Sequence, residues 1–215
     1  MRIGILGTGV VGNTLGTKLA KLGHDVRMGS RTAGGEKAKA FVKEAGGKSS
    51  EGTFADAAAH GDIVFNCTSG GASLEALNSA GAQNLQEKVL VDVSNPLDFS
   101  KGMPPTFLVC NNDSLGEQIQ RAFPMTKVVK SLNTVTAAVM ADPSIVPGVH
   151  TMFVSGNDER AKAEVINILK TGFGWKEVMD LGDITGARAQ EMHLALWVRL
   201  YAKLQTPNLN VYVAR

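Results

Sequence analysis

Residues 1–12 read MRIGILGTGVVG, a short apolar run that leads directly into glycines with the spacing Gly-x-Gly-x-x-Gly. Apolar residues recur at helical spacing over residues 10–22, and a second apolar run covers residues 25–28. A strand, a glycine-rich turn, a helix and a second strand in this order are the context in which such a motif binds a dinucleotide pyrophosphate. The sequence therefore predicts a nucleotide site whose candidate residues are Gly7, Thr8, Gly9, Val10, Val11 and Gly12.

The rest of the chain continues to alternate short apolar runs with helical patterns. Near-continuous apolar runs such as residues 62–67 suit strands that are buried on both faces of a parallel sheet. The alternation predicts a Rossmann-type, doubly wound α/β fold with a mainly parallel sheet. Two helix starts match the capping-box pattern, at Thr53 with Asp56 and at Ser114 with Glu117. The further predicted strands cover residues 89–93, 127–132 and 151–154, and the further predicted helices cover residues 36–45, 53–60, 114–123, 160–171 and 187–204.

Charge and cysteine content argue against several classes of protein. The net charge is +2 and the basic residues alternate with acidic ones, which argues against nucleic acid or an anionic membrane as a partner. The two cysteines, Cys67 and Cys110, lie in unrelated contexts, so neither a disulfide framework nor a thiolate metal site is predicted. No apolar stretch approaches the length of a membrane span, and nothing near Met1 reads as a signal peptide. We therefore expect a cytoplasmic protein with a small-molecule partner.

The residues after the second predicted strand indicate which dinucleotide is bound. An NAD-dependent enzyme usually carries an acidic residue there, which accepts a hydrogen bond from the ribose 2′-hydroxyl. This chain has Ser30, Arg31 and Thr32 instead. A carboxylate would repel a 2′-phosphate, whereas Arg31 forms charge-assisted hydrogen bonds with one, and Lys37 or Lys39 from the next helix can add charge. The sequence therefore predicts NADP(H) rather than NAD(H).

Small or polar residues follow three more of the predicted strands. The carboxyl ends of strands in an open parallel sheet border the ligand-binding crevice. Thr68 and Ser69 are candidates for contact with the ribose or the pyrophosphate, and Asn95 and Asn133 for orienting the nicotinamide amide or a second substrate. Each residue alone is better explained by ordinary loop chemistry, and only the three loops together favour a lined crevice. Cys67, at the end of one strand, is interpreted as a buried and inert side chain.

The segment at residues 1–9, which contains the first strand and the first glycines of the motif, is followed in order by Ser30-Arg31 and by four further segments. These are residues 92–97 (DVSNPL), 129–134 (VKSLNT), 180–183 (DLGD) and 187–188 (AR). Together they resemble the NADP oxidoreductases that use a deazaflavin coenzyme, coenzyme F420. The cytoplasmic reductase domain of the STEAP metalloreductases belongs to the same wider group. The resemblance runs over nearly the whole chain and is more specific than the glycine motif alone.

The resemblance implies a domain organisation and an oligomeric state. Members of this family have a Rossmann domain with a small C-terminal helical extension and commonly form homodimers. We accordingly expect one NADP-binding domain over residues 1–215, in which residues 175–215 complete the pocket or form the dimer face.

The resemblance also implies roles for individual positions. Family enzymes pass a hydride directly between the nicotinamide and a flavin-like ring stacked against it. By position, residues 8–11 would hold the pyrophosphate and residues 30–32 the 2′-phosphate. Asn133 and Thr136 border the expected second-substrate pocket, and deazaflavin-using members can carry histidine and proline there. The nicotinamide end would be lined by Thr68, Ser69 and Ala137.

Three functions stay open at this point. The leading one is hydride transfer between NADP(H) and a deazaflavin (coenzyme F420) or flavin-type acceptor such as FMN or FAD. The second is an NADPH-dependent reductase of small carbonyls or imines. Such enzymes use a lysine or another proton donor, and the last helix offers only Lys203 as a candidate, which makes this function the weaker one. The third is a redox sensor that binds NADP(H) without catalysis. The chain shows no Ser–His–acid arrangement and no histidine pair at metal-ligand spacing, so we name no catalytic residue and no metal ligand.

Overall fold

Ten strands and nine α-helices are present in the computed structural model, which describes residues 1–215. The strands are β1 (Arg2–Leu6), β2 (Asp25–Ser30), β3 (Ser50–Thr53), β4 (Ile63–Asn66), β5 (Val89–Asp92), β6 (Leu97–Asp98), β7 (Thr106–Phe107), β8 (Lys127–Ser131), β9 (Thr151–Gly156) and β10 (Glu177–Asp180). The helices are α1 (Val10–Lys21), α2 (Glu36–Ala45), α3 (Phe54–His60), α4 (Ser73–Ala80), α5 (Ala82–Leu85), α6 (Leu115–Ala122), α7 (Ala137–Ala141), α8 (Glu159–Asn167) and α9 (Ala187–Leu204).

Eight of the strands form one sheet in the order β10-β9-β8-β5-β4-β1-β2-β3, while β6 and β7 form a small antiparallel hairpin. Every pair in the large sheet is parallel except β8 with β9. The chain builds one half of the sheet outward from β1 and the other half outward from β4, so the strand order reverses between these two strands. This arrangement confirms the predicted Rossmann-type fold and puts the expected ligand crevice at the carboxyl ends of β1 and β4.

Alternate residues of the central strands supply two separate cores. In β1, Ile3 and Ile5 belong to a cluster of 28 buried residues, whereas Leu6 belongs to a cluster of 16 on the other face. In β4, Phe65 and Val64 divide between the two clusters in the same way. Because successive strand side chains point to opposite faces, a continuous apolar strand requires helices on both sides of the sheet.

Several elements differ from the sequence-based prediction. The edge strand β3, the edge strand β10, the helices α4 and α5, and the β6–β7 hairpin were not predicted. Strand β9 runs antiparallel to β8, whereas a simple alternation of strands and helices predicts a parallel neighbour. Helix α8 ends at Asn167 and continues as a π-helical turn over Ile168–Phe173.

One of the two predicted capping boxes is complete. The Thr53 hydroxyl accepts from the Asp56 amide, and the Asp56 carboxylate accepts from the Thr53 amide. At α6 the Ser114 hydroxyl accepts from the Glu117 amide, as predicted. The Glu117 carboxylate, however, bonds the Ser114 hydroxyl and the guanidinium of Arg188 rather than the Ser114 amide. An ion pair with α9 has therefore replaced the second half of that box.

The C-terminal residues lie against the same sheet. The expected extension, residues 175–215, begins with the edge strand β10, which pairs with β9. After α9 the chain passes back along β9, where the Thr151 amide donates to the carbonyl of Val211. No helix is both long and apolar enough to cross a membrane.

Candidate functional site

A cavity of about 510 Å³ opens at the carboxyl ends of β1, β2 and β4, next to the point where the strand order reverses. The predicted residues Gly7, Thr8, Ser30, Arg31, Thr32, Thr68 and Ser69 line it. The remaining lining residues are Gly35, Glu36, Lys37, Ala38, Phe54, Ala72, Glu75, Ala76 and Ser79.

The glycine turn shapes one wall of this cavity. Gly7 has φ of 115°, and a Cβ atom there would lie 2.8 Å from the carbonyl oxygen of Cys67, so both the conformation and the space require glycine. Gly9, by contrast, faces open space, because no atom lies within 4 Å of the point that a Cβ atom would occupy there. Val10 is 77% exposed at the start of α1. The turn therefore leaves an open approach to the backbone at Gly9.

Helix α1 begins at this turn without a capping side chain. Its N-cap is Gly9, and no acidic residue stands in its first turn. Helices α3, α6 and α8 are capped by the side chains of Thr53, Ser114 and Asp158, whereas the other α-helices, like α1, have no side-chain cap. The first amides of any helix have no partner within the helix, and its dipole favours an anion at that end. The N-terminus of α1 is accordingly suited to a phosphate group.

The end of β2 carries free positive charge. The Ser30 hydroxyl donates to the carbonyl of Thr32 over 2.7 Å, which holds this short loop in place. Arg31 is exposed and forms neither an ion pair nor a hydrogen bond with the protein. Lys37, in the first turn of α2, also lines the cavity, together with the carboxylate of Glu36. Two cations thus face one carboxylate at this end of the cavity.

The opposite wall comes from α4, which was not predicted. Phe54 of α3 and Ala72, Ala76 and Ser79 around α4 line the cavity there, and Glu75 adds one carboxylate. The buried residues Ala76, Leu77 and Ala80 recur at helical spacing, and this pattern is the signal that could have revealed α4. The short length of the helix, between a glycine-rich turn and Gly81, obscures that signal.

The loop after β4 holds Thr68 by side-chain hydrogen bonds. The Thr68 hydroxyl donates to the carbonyl oxygen of the Asn66 amide over 2.7 Å. It also lies 2.9 Å from the hydroxyl of Ser73. Gly70 in the same loop packs so closely on the loop after β5 that a Cβ atom would lie 2.0 Å from the carbonyl oxygen of Asn95. This contact fixes the spacing between the two loops.

Asn95 and Asn133 lie outside the cavity lining, and they bind each other. The Asn95 amide donates to the backbone carbonyl of Asn133 over 2.8 Å, and the Asn133 amide donates back to the side-chain oxygen of Asn95 over 2.9 Å. Asn133 also donates to the carbonyl of Gln190 on α9, and its own side-chain oxygen is buried without a partner. Leu132, which precedes it, has φ of 66°, a left-handed conformation that L-residues with branched side chains rarely adopt.

Thr136 and Ala137 stand at the start of α7, also outside the cavity lining. The Thr136 hydroxyl lies 3.5 Å from the carbonyl oxygen of Pro207, in the segment that follows α9. Ala137 is buried as the first residue of the helix. The structure thus brings Thr136 next to the C-terminal segment.

Burial shifts the pKa of two side chains, Cys67 and His193. Burial, with a smaller contribution from Asp92, raises the pKa of the Cys67 thiol, and the side chain is buried as predicted. Burial lowers the pKa of His193 on α9. The cavity itself is lined by neither histidine nor cysteine.

Comparison with known proteins identifies the family. A family model described as "NADP oxidoreductase coenzyme F420-dependent" matches residues 2–96. The crystal structure of a "putative f420 dependent nadp-reductase" from Arthrobacter sp. FB24 is 50% identical in sequence, and the alignment covers 99% of each chain with a TM-score of 0.93. The chain belongs to the family of coenzyme F420-dependent NADP oxidoreductases. This membership confirms the resemblance read from the sequence, and with it an NADP-dependent oxidoreductase.

Two further similarities place this family member in a wider context. The rat metalloreductase STEAP3 is 29% identical over 214 residues, but the chain spans only 38% of the length of that protein. A reductive aminase from Aspergillus terreus, solved with NADPH, is 19% identical with a TM-score of 0.66, and 62% of its chain is covered. At that level of identity the second similarity shows a shared fold alone.

Proposed function

We propose that this family member transfers a hydride directly between NADP(H) and a deazaflavin or flavin-type acceptor. The observation that carries the proposal is that two neutral residues, Thr68 and Ser69, line the end of the cavity where the nicotinamide is expected. A carbonyl or imine reduction needs a proton donor beside the reacting atom. Hydride transfer to a flavin-type ring needs a short distance between the two rings, a fixed orientation and the exclusion of water. Neutral walls are sufficient for these tasks, because no proton has to be donated.

The residues present fit NADP(H). The uncapped N-terminus of α1 and the open space at Gly9 would hold the pyrophosphate, with Thr8, Val10 and Val11 around it. The unpaired Arg31 would bind the 2′-phosphate with the hydroxyls of Ser30 and Thr32, and the N-terminus of α2 lies beside them. NADPH supplies the hydride; the protein supplies its orientation.

The adenine would lie between Phe54 and α4. Phe54 and Ala76 supply apolar surface, and the carboxylate of Glu75 is an acceptor for an exocyclic amine. This wall completes a cavity whose two ends differ in charge, with cations at Arg31 and Lys37 and neutral hydroxyls at Thr68 and Ser69. The charge difference orients the dinucleotide along the cavity.

The second substrate would bind beyond Thr68, at the loop that carries Asn133, Thr136 and Ala137. The C-terminal segment reaches this loop at Pro207, so residues 175–215 would complete the pocket or form the face of a homodimer. Because the Arthrobacter protein at 50% identity carries the name "putative f420 dependent nadp-reductase", a deazaflavin is our first choice of acceptor. FMN or FAD is the second.

The experiment that tests this proposal follows the loss of NADPH absorbance with purified protein. Coenzyme F420, FMN, FAD and a ferric chelate are offered separately as acceptors. Rapid turnover with F420 supports the deazaflavin reaction, and turnover only with FMN or FAD identifies a flavin reductase. Binding of NADPH without turnover on any acceptor contradicts the proposal. Small carbonyls and imines, offered next, would then separate a reductase of that class from a redox sensor.

A further inference from the structure

A line of buried polar groups runs from the cavity toward the C-terminal helix. It starts at Thr68, whose hydroxyl and amide both donate to the side-chain oxygen of Asn66. The Asn66 amide group donates in turn to the hydroxyl of Ser73 and, over 2.9 Å, to the carboxylate of Asp92. Every hydrogen-bonding position of the Asn66 side chain is therefore used, and its orientation is fixed.

The line continues through an ammonium group that is completely buried. Lys130 on β8 donates to Asp92 over 2.7 Å, to Glu191 over 2.8 Å and to the carbonyl of Ser94 over 2.6 Å. These three acceptors use all three of its N–H groups. Burial alone would lower the pKa of Lys130, but the two carboxylates outweigh it and raise that pKa above its ordinary value. The ammonium therefore stays charged.

Glu191 ends the line at the junction of two helices. Its carboxylate accepts from the amides of Leu115 and Gly116, the first residues of α6, over 2.9 and 3.0 Å. It thus joins α9, on which it stands, to the N-terminus of α6 and to Lys130. The preceding residue, Gln190, accepts the amide of Asn133 at its backbone carbonyl. Two adjacent residues of α9, Gln190 and Glu191, therefore contact Asn133 and Lys130 respectively.

The directions of the hydrogen bonds decide what this line can do. Asp92 accepts from both Asn66 and Lys130, and Lys130 donates to both of its carboxylate neighbours. A proton relay needs each group to accept on one side and donate on the other, and the line breaks that order twice. Charged, fully satisfied and buried groups instead hold their neighbours in one arrangement.

We propose that Glu191 is a positioning residue for the nucleotide, acting through Lys130, Asp92 and Asn66 to fix Thr68 in the cavity. The inference rests on the proposed function in one respect, because Thr68 is taken to contact the nicotinamide end of NADP(H). The link from Glu191 to Thr68 itself is testable without any ligand.

The substitution Glu191→Gln tests the link at its far end. A glutamine of the same shape must turn its NH₂ group toward either the Lys130 ammonium or the α6 amides, and each of these is itself a donor. We expect the NADPH dissociation constant to rise about three- to tenfold, a size typical of coupling through packed networks. The ¹⁵N–¹H signal of the Thr68 amide should move in the ligand-free protein.

Arg188→Gln is the matched control. Arg188 stands one turn before Glu191 on α9 and pairs with Glu117, so it joins the same two helices without contact to Lys130. If Glu191 had a purely structural role, Glu191→Gln and Arg188→Gln would each lose NADPH affinity in the same proportion to the decrease in their melting temperature. We expect Arg188→Gln to change the NADPH affinity less than about twofold and to leave the Thr68 signal in place.

Two further measurements keep the inference testable if Glu191→Gln does not fold. Glu191→Asp retains the charge but is too short to reach Lys130 and both α6 amides, and it should still move the Thr68 signal. In the unmodified protein, NADPH should move the amide signals of Leu115 and Gly116, because coupling is reciprocal. An unmoved Thr68 signal in both Glu191 variants overturns the link. Failure of the protein to bind NADPH at all overturns the proposed function instead.

Discussion

The Cβ position of Gly12 lies 2.0 Å from the carbonyl oxygen of Gly7, so α1 packs on the end of β1 with no room for a side chain. Gly9, between them, has open space around the same position. Two glycines of one motif therefore carry different constraints. At Gly12 the folded chain itself requires glycine, whereas the open space at Gly9 fits our proposal that the pyrophosphate approaches the backbone there.

We expect Gly12→Ala and Gly9→Ala to separate these constraints. Gly12→Ala forces the turn to shift and should lower the free energy of unfolding by about 1 to 3 kcal/mol. Gly9→Ala should leave that free energy within about 0.5 kcal/mol, yet raise the NADPH dissociation constant about tenfold or more. Chemical denaturation and fluorescence titration measure the two quantities. Equal NADPH affinity in Gly9→Ala and the unmodified protein would show that the pyrophosphate lies elsewhere.

Arg31→Ala tests the choice of dinucleotide. Loss of a charge-assisted contact with the 2′-phosphate should raise the dissociation constant of NADPH about ten- to a hundredfold. The affinity for NADH, which has no such phosphate, should not change. Lys43→Ala is the control, because Lys43 lies in the last turn of α2 and outside the cavity lining. A similar loss of NADH affinity in Arg31→Ala would contradict the assignment.

Lys130→Met should strongly destabilise the protein. Removal of the ammonium leaves Asp92 and Glu191 buried and uncompensated, which costs about 3 to 5 kcal/mol of unfolding free energy. Lys162→Met is the comparison. The Lys162 side chain also has almost no solvent-exposed surface, but its partners Glu159 and Asp180 are 81% and 35% exposed and remain hydrated without it. We expect a loss of about 1 kcal/mol or less there, and equal losses in the two variants would contradict the buried arrangement.

The pair Asp113–Arg121 should make stability depend on pH in the acid range. Arg121 donates twice to Asp113 and lowers the pKa of that carboxyl to about 2. Because the pKa in the unfolded chain is about 3.9, the pair stabilises the folded state above about pH 4. Its contribution disappears as the pH falls through about 2.

Thermal melts of the unmodified protein and of Asp113→Asn, followed from neutral to acid pH, check this dependence. The unmodified protein should melt at the higher temperature at pH 7, and the difference should shrink as the pH falls. Because Arg121 is largely exposed, solvent screening keeps the difference small. A difference that is constant with pH would show that the ion pair contributes nothing.

Local patterns predicted the parts of the fold that depend on local physics. The turn at Gly7 requires a left-handed conformation, and the capping box at Thr53 depends on residues three apart, so both are visible in the sequence. Strand β3, in contrast, reads Ser-Glu-Gly-Thr and is a strand only because β2 offers it an edge. The antiparallel direction of β9 is likewise set by its neighbours and not by its own residues.

The candidate site was predictable to the same extent. Arg31 stands immediately after a strand that follows a glycine motif, so its place in the lining of the cavity follows from spacing. Glu191 is separated from Lys130 and Asp92 by long stretches of chain, and no local pattern links the three residues. Only the folded arrangement shows that all three are buried together.

The buried contact of Asp92, Lys130 and Glu191 has a consequence for how this protein can evolve. A lineage that changes one of the three positions leaves an unpaired charge inside the molecule, so a single replacement would be purged before the second could arise. These positions should therefore be inherited as a unit, and relatives that lack a lysine at position 130 should also lack at least one of the two acids. A set of three apolar residues at these positions would also be stable. The intermediate sequences between the charged set and the apolar set would fold poorly.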